Sequence, residues 1–239
     1  IIGCQKKLST KMDFEIYKKY DSGFTLNVDG KIDDGITAVF GPSGSGKTTL
    51  LNCIAGFSNP DRGKIKIGDQ ILYSDHPKVS LPIHHRRIGY VSQELTLFPQ
   101  MNVLDNIYFG YNLIPQSERK ILPEYVINFL DIESLLYTQI SSLSGGEKQK
   151  VALARVLSIS PNFLLLDEAL ASIDQKSSGK IIANLKKIWS EFKIPMIYVS
   201  HSISEVLAIA DHVLVLQDGE FKNSVSSNEL FIGADLISS

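Results

Sequence analysis

Hydrophobic and polar positions along this chain follow two periods, and the switches between them outline an α/β fold. "DFEIYKKY" and "FTLNVDG" alternate with period two, which predicts two β-strands joined by a turn. "GITAVF" (35–40) is a short apolar run, β-branched and aromatic, as expected of a buried strand, and "TTLLNCIAGF" after it has helical spacing. "GKIKIGDQILY" (63–73) predicts a hairpin turning at Gly68-Asp69, and "RIGYVSQ" (87–93) predicts another strand. The texture then changes. "VLDNIYFGY" and "PEYVINFLDIESLL" carry helical periodicity, with Pro123 suited to the first turn of the second helix. Alternation of helix and strand resumes with a helix in "SLSGGEKQKVALARVL" (142–157), a strand in "NFLLLD" (162–167), and an amphipathic helix in "QKSSGKIIANLKKIWSEF". A strand in "PMIYVS" (195–200), a helix in "ISEVLAIA", and strands "HVLVL" and "EFKNSV" joined by Gln217-Asp218-Gly219 follow. The sum is an α/β core with a mainly parallel sheet and crossover helices, an antiparallel β subdomain, and an α-helical insert near 95–142.

Composition narrows this picture. The chain has 239 residues, 44% of them hydrophobic, enough for a sizeable core. Residues 12–239 are expected to form one domain, with 12–94 and about 143–239 as core and β subdomain and about 95–142 as the insert. The polar stretch 1–11 precedes Met12 and is expected to lie outside the fold. A net charge of −2 does not suggest a globally basic surface for nucleic acid and leaves only a local patch open. The two cysteines, Cys4 and Cys53, have no metal-ligand spacing, which suggests a reducing compartment and no disulfide. No apolar stretch approaches the ~20 residues that cross a bilayer, and no signal-peptide pattern is present, so the chain is expected to be soluble by itself. His84, His85, Arg86 and Arg87 read as a solvated basic cluster.

The strongest chemical signal is Gly41-Pro42-Ser43-Gly44-Ser45-Gly46-Lys47-Thr48, followed by Thr49, between the buried strand and a helix. Glycines let the backbone wrap so that several N–H groups point at one oxyanion, and the helix start adds its positive end. Lys47 suits the β- and γ-phosphates of ATP, and the Thr48 hydroxyl suits Mg²⁺. The apolar strand "NFLLLDE" presents Asp167 and Glu168 at its C-terminal end, where ligands of open α/β sheets bind. Asp167 is placed to hold Mg²⁺ through a water, and Glu168 to polarise a water for attack on the γ-phosphate.

A second helix start has the same anion-ready character. Ser144-x-x-Glu147 is a capping box, with Gly145 and Gly146 inside the first turn. Each glycine costs roughly 1 kcal/mol relative to alanine in a helix, a cost that capping does not explain. Leu143-Ser-Gly-Gly-Glu-Lys-Gln149 resembles the signature sequence of ATP-binding cassette (ABC) ATPases, about twenty residues before the acidic strand as in that family. In order with it, Gln93 resembles the Q-loop glutamine, "SID" (172–174) the D-loop with Asp174, and His201 the switch histidine. Tyr20 resembles the aromatic that stacks on adenine, with Tyr17 as second candidate. The resemblance covers about residues 13–232.

This resemblance implies a homodimer of cassettes arranged head to tail, each ATP lying between one copy's P-loop and the other's signature helix. Ser144, Gly145, Gly146, Glu147 and Asp174 would then contact ATP held by the second copy. It also implies that Gln93 touches Mg²⁺ and links the site to the insert, and that His201 bonds the γ-phosphate and positions water with Glu168. Two positions depart from the family's pattern: Ala169 replaces a usual proline, and Lys150 a usual arginine, keeping the charge without the planar fork.

"LFPQMNVLDNIYFG" (97–110) resembles the insert of importers for small ions and solutes, which docks on separate integral-membrane permease subunits. "GITAVFGPSGSGKTTLLNCIAGF", "SLSGGEKQKVALARVL" and "IPMIYVSHSISEVLAIADHVLVLQDGE" resemble the ATPase subunit of molybdate importers. That implies uptake of molybdate or tungstate, with sulfate and ferric ion as alternatives. It also implies a peripheral position on the cytoplasmic face of the membrane, and indirect work with an extracytoplasmic solute-binding protein. Such subunits often carry a C-terminal oxyanion-binding domain, which this sequence, ending at Ser239, is expected to lack. A nucleic-acid-linked ABC ATPase is disfavoured, because the about fifty residues from Gln93 to Leu143 hold no sustained heptads. An exporter would usually have fused membrane helices, and a P-loop kinase has no use for Ser144-Gly-Gly.

Overall fold

The computed structural model describes residues 11–169 and 175–226, which divide between two compact units. Along the chain run β1 (Met12–Lys19), β2 (Thr25–Ile32), β3 (Ile36–Phe40), α1 (Lys47–Ala55), β4 (Arg62–Ile67), β5 (Gln70–Ser74) and β6 (Val79–Ser80). They are followed by β7 (Ile88–Val91), α2 (Val103–Tyr111), α3 (Pro123–Phe129), α4 (Gly145–Ser158), β8 (Phe163–Asp167) and α5 (Gln175–Phe192). Last come β9 (Met196–Ser200), α6 (Ile203–Ile209), β10 (His212–Gln217) and β11 (Glu220–Ser226).

The first unit comprises the chain up to Arg86 and from Ser200 onward. Period-two alternation buries Met12, Phe14 and Ile16 of β1 and Leu26, Val28 and Ile32 of β2. These strands belong to an antiparallel sheet of order β2-β1-β4-β5-β6. In the same unit β10 pairs parallel to β3, Val213 opposite Ala38, and antiparallel to β11. The β10–β11 turn returns to β2, where the Asn27 N–H donates to the Gly219 carbonyl at 2.7 Å.

The second unit is Arg87–Val199. β7, β8 and β9 are parallel, with Ile88 opposite Phe163 and Leu164 opposite Met196. Every residue of β8 is buried, as its unbroken apolar run predicts. α4 packs on β7 and receives α2 and α3. No helix among the described residues is long and apolar enough to cross a membrane.

Three expectations need correction. The strand read over 87–93 stops at Val91, and beyond it Leu95 and Thr96 take positive φ of 58° and 40°. The helix read across "PEYVINFLDIESLL" ends at Phe129: Asp131 has φ 53°, and the chain turns to bury Ile132. Finally, Arg86 is not solvated. It is 1% exposed and donates to the carbonyls of Cys53 at 2.9 Å, Ile54 at 2.8 Å and Leu81 at 2.9 Å, so it closes the C-terminal end of α1.

Candidate functional site

In the first unit, β3 delivers the chain into the phosphate cradle. Gly41 lies so close to β10 that a Cβ there would sit 2.0 Å from the Leu216 carbonyl oxygen. Gly46 begins α1 at φ 106°, and a Cβ there would press on Phe24 at 2.9 Å and Leu26 at 3.0 Å. Packing and backbone conformation thus demand these glycines. No side chain caps α1, which leaves its first turn facing the loop as an anion-ready helix start. Lys47 is buried, and its Nζ donates to the carbonyls of Gly41 and Pro42 at 2.8 Å each, which bends the loop around the ammonium. The Ser45 hydroxyl is buried without a hydrogen-bond partner among the described residues.

The first unit also holds Tyr20 and His201. Tyr20 is 37% exposed, its ring 6.3 Å from that of Phe24 and the Lys18 ammonium 5.8 Å from its centre. His201 is exposed, directly after β9. Its neighbours are tied to α6: the Ser200 hydroxyl donates to Glu205 at 2.7 Å and accepts from the Ser202 N–H at 3.0 Å. The Glu205 N–H donates to the Ser202 hydroxyl at 3.4 Å.

In the second unit, Ser144 caps α4 through a complete capping box. Its hydroxyl accepts from the Glu147 N–H at 3.4 Å and donates to the Glu147 carboxylate at 2.6 Å, which also accepts the Ser144 N–H at 2.8 Å. These bonds hold the Glu147 carboxyl below its ordinary range. A Cβ on Gly145 or Gly146 would meet nothing within 4 Å. Unlike Gly41 and Gly46, these two glycines answer no packing demand among the described residues. Lys150 reaches the Asp131 carbonyl at 3.5 Å.

Asp167 ends β8 at 7% exposure. The Tyr90 hydroxyl of β7 donates to its Oδ2 at 2.8 Å. Burial, then the Asp167 charge, raises the Tyr90 phenol well above its ordinary pKa, which keeps it a donor. Glu168 follows at φ 47°, a left-handed conformation that costs a non-glycine residue of order 1 kcal/mol. Its N–H donates to the Val199 carbonyl at 3.1 Å, and buried Ala169 continues the turn. Gln93 is exposed in the turn two residues beyond β7. Asp174 lies outside the described residues.

Sequence reasoning missed several positioning contacts. Arg155 of α4 donates to the Thr96 carbonyl at 3.0 Å and lies 4.8 Å from the centre of the Phe98 ring. The Asn106 carboxamide of α2 takes the Phe98 N–H at 2.9 Å and donates to its carbonyl at 3.1 Å. Together they hold the segment after Gln93. Tyr90 was the one contact open to prediction from strand register.

A family profile described as ABC transporter matches residues 26–171, a span that holds the glycine cradle, the capped helix and the acidic strand. The chain belongs to the ABC transporter family. Its fold is the α/β P-loop cassette of ABC ATPases. The ABC structure of cbiO1 from Clostridium perfringens, part of the transporter complex cbiONQ, matches with a TM-score of 0.82 at 27% identity, covering 96% of this chain and 94% of that one. A dimeric, post-hydrolysis structure of the ABC cassette MJ0796 bound to ADP and Pi matches with a TM-score of 0.74 at 27% identity, covering 90% and 98%. Among curated relatives, the molybdenum import ATP-binding protein ModC of Hahella chejuensis is 44% identical over 202 residues, 84% of this chain and 56% of its own length. ModC of Pseudomonas syringae pv. tomato is 42% identical over 214 residues, 89% and 59%. This chain therefore spans little more than half the length of the curated ABC proteins it matches.

Proposed function

We propose that this ABC cassette is the ATP-hydrolysing subunit of an importer, working as a homodimer on separate membrane permease subunits at the cytoplasmic face. The observation that carries the reading is the helix start at Ser144, whose two glycines open space that none of the described residues fills. A phosphate held by a second copy's cradle accounts for them. The similar cassette that is dimeric with ADP and Pi bound supports the pairing of two copies.

The donors assigned to Mg²⁺ are the Thr48 hydroxyl, the Gln93 amide oxygen and the buried Asp167 carboxylate. Such hard oxygen donors, with a single carboxylate, suit a small cation that is otherwise held by phosphates and water. Mg²⁺ neutralises charge on the β- and γ-phosphates when bound. Lys47 and the backbone of residues 41–49 bind the phosphates, while Tyr20 stacks on the adenine. Glu168 takes a proton from the attacking water, and His201 holds that water and the γ-phosphate in line. Ser144, Gly145, Gly146, Glu147 and Asp174 contact the ATP of the other copy. Loss of the γ-phosphate removes the bridge, and the pair opens. Residues 12–239 act as one cassette, with about 95–142 as the insert that meets the permease.

Molybdate or tungstate is the proposed cargo, and the two molybdenum-import ModC relatives at 44% and 42% identity support molybdate. The test is reconstitution with the membrane subunits and the solute-binding protein, reading ATPase rate against solute. Stimulation by molybdate or tungstate is the expected result. Stimulation by sulfate or ferric ion alone would redirect the cargo, and no stimulation by any of the four would contradict an ion importer.

A further inference from the structure

We infer that Tyr90 is a positioning residue for Asp167, orienting its carboxylate for the metal. The inference deepens the proposed function and rests on its assignment of Asp167 to Mg²⁺. In the parallel pairing of β7 and β8, Tyr90 stands opposite Leu165. Asp167 is two residues further along β8, and strand side chains repeat with period two, so Tyr90 and Asp167 share one face of the sheet. That diagonal separation is bridged by a side chain as long as tyrosine. The bridge is made: the Tyr90 hydroxyl donates to Oδ2 of Asp167 at 2.8 Å.

The consequence is geometric. A carboxylate at a strand end can rotate about its terminal torsion, and that torsion is soft. Engaging Oδ2 restricts rotation of the carboxylate, and with it the directions open to Oδ1. Second-layer hydrogen bonds of this kind commonly orient metal ligands. The neighbourhood also favours such a device. Asp167 is 7% exposed, so bulk water contributes little to orienting it. β7 ends at Val91 and leads into the turn carrying Gln93, the other residue of this unit assigned to the metal. One short strand thus carries a proposed metal contact and the group that aims another.

The test uses the full chain and its Tyr90→Phe, Tyr90→Met and Asp167→Asn variants. Each is titrated with Mn²⁺ in the presence of a saturating non-hydrolysable ATP analogue, with bound metal read by electron paramagnetic resonance. Binding of the analogue without metal is measured in parallel by fluorescence. Both Tyr90 variants are expected to weaken Mn²⁺ binding roughly tenfold, the loss typical of a missing second-layer partner, with metal-free analogue binding unchanged. Unchanged Mn²⁺ affinity in both Tyr90 variants overturns the inference. So does a loss of metal-free binding in step with metal binding, because that marks a packing role. Unchanged Mn²⁺ affinity in Asp167→Asn instead overturns the underlying metal assignment. The two failures are read on different variants and cannot be confused.

Discussion

Gly41 and Gly146 are the same residue type at two turns that lead into helices, and their surroundings differ. A Cβ on Gly41 would meet the Leu216 carbonyl oxygen at 2.0 Å, whereas one on Gly146 meets nothing within 4 Å. Gly41→Ala is therefore expected to lower the melting temperature, since backbone must move. Gly146→Ala is expected to leave it unchanged or raise it, with at most about 1 kcal/mol of added stability, the helix-propensity difference. Yet Gly146→Ala should slow ATP hydrolysis. Thermal unfolding and phosphate release on the two variants check this, and a Gly146→Ala chain with full activity would leave that glycine unexplained. At this scale the sequence was legible wherever a motif carries its own geometry. The cradle, the capping box at Ser144 and the acids after "NFLLL" all lie within a few residues of the backbone they shape. After His201, Ser202-x-x-Glu205 repeats the capping-box pattern, and there the box is only half formed. The Glu205 N–H reaches the Ser202 hydroxyl, but the Glu205 carboxylate accepts from the Ser200 hydroxyl, a competitor two residues upstream of the cap.

At the scale of elements, what the sequence hid is what depends on distant partners. Arg86 sits among histidines and another arginine and looks like surface, but its acceptors Cys53 and Ile54 lie 33 and 32 residues earlier in the chain. Without a contact map, nothing marks it as the group that closes α1. Arg86→Met leaves three carbonyls without a charged donor and is expected to cost roughly 3 kcal/mol or more. Arg86→Lys should recover only part of this, because one ammonium lacks the fork that reaches several acceptors. Denaturant unfolding of the two variants measures it, and a loss below about 1 kcal/mol in Arg86→Met would mean that water replaces the guanidinium. The end of α3 was illegible for a related reason. Helical periodicity continues through "DIESLL", but a positive φ at Asp131 and burial of Ile132 override it.

For the whole molecule, the central claim is that ATP joins two copies, with each α4 start completing the other's site. Periodicity predicted the α/β core, the antiparallel strands and the helical insert. In the proposed function the use of Gly145 and Gly146 lies on another molecule, and the chain's own packing does not display it. Glu168→Gln keeps the shape of the proposed base and removes its basicity, so it should hold ATP without turnover and trap the joined state. Ser144→Arg places a long cation where the partner's phosphate would lie. The deciding measurement is the mass of the Glu168→Gln chain by light scattering at millimolar Mg²⁺ and ATP, alone and with Ser144→Arg added. The account predicts a dimer for the single variant, a monomer without ATP, and a monomer for the double variant even though it still binds ATP. A Glu168→Gln chain that stays monomeric with ATP bound, or a double variant that dimerises equally well, would contradict it.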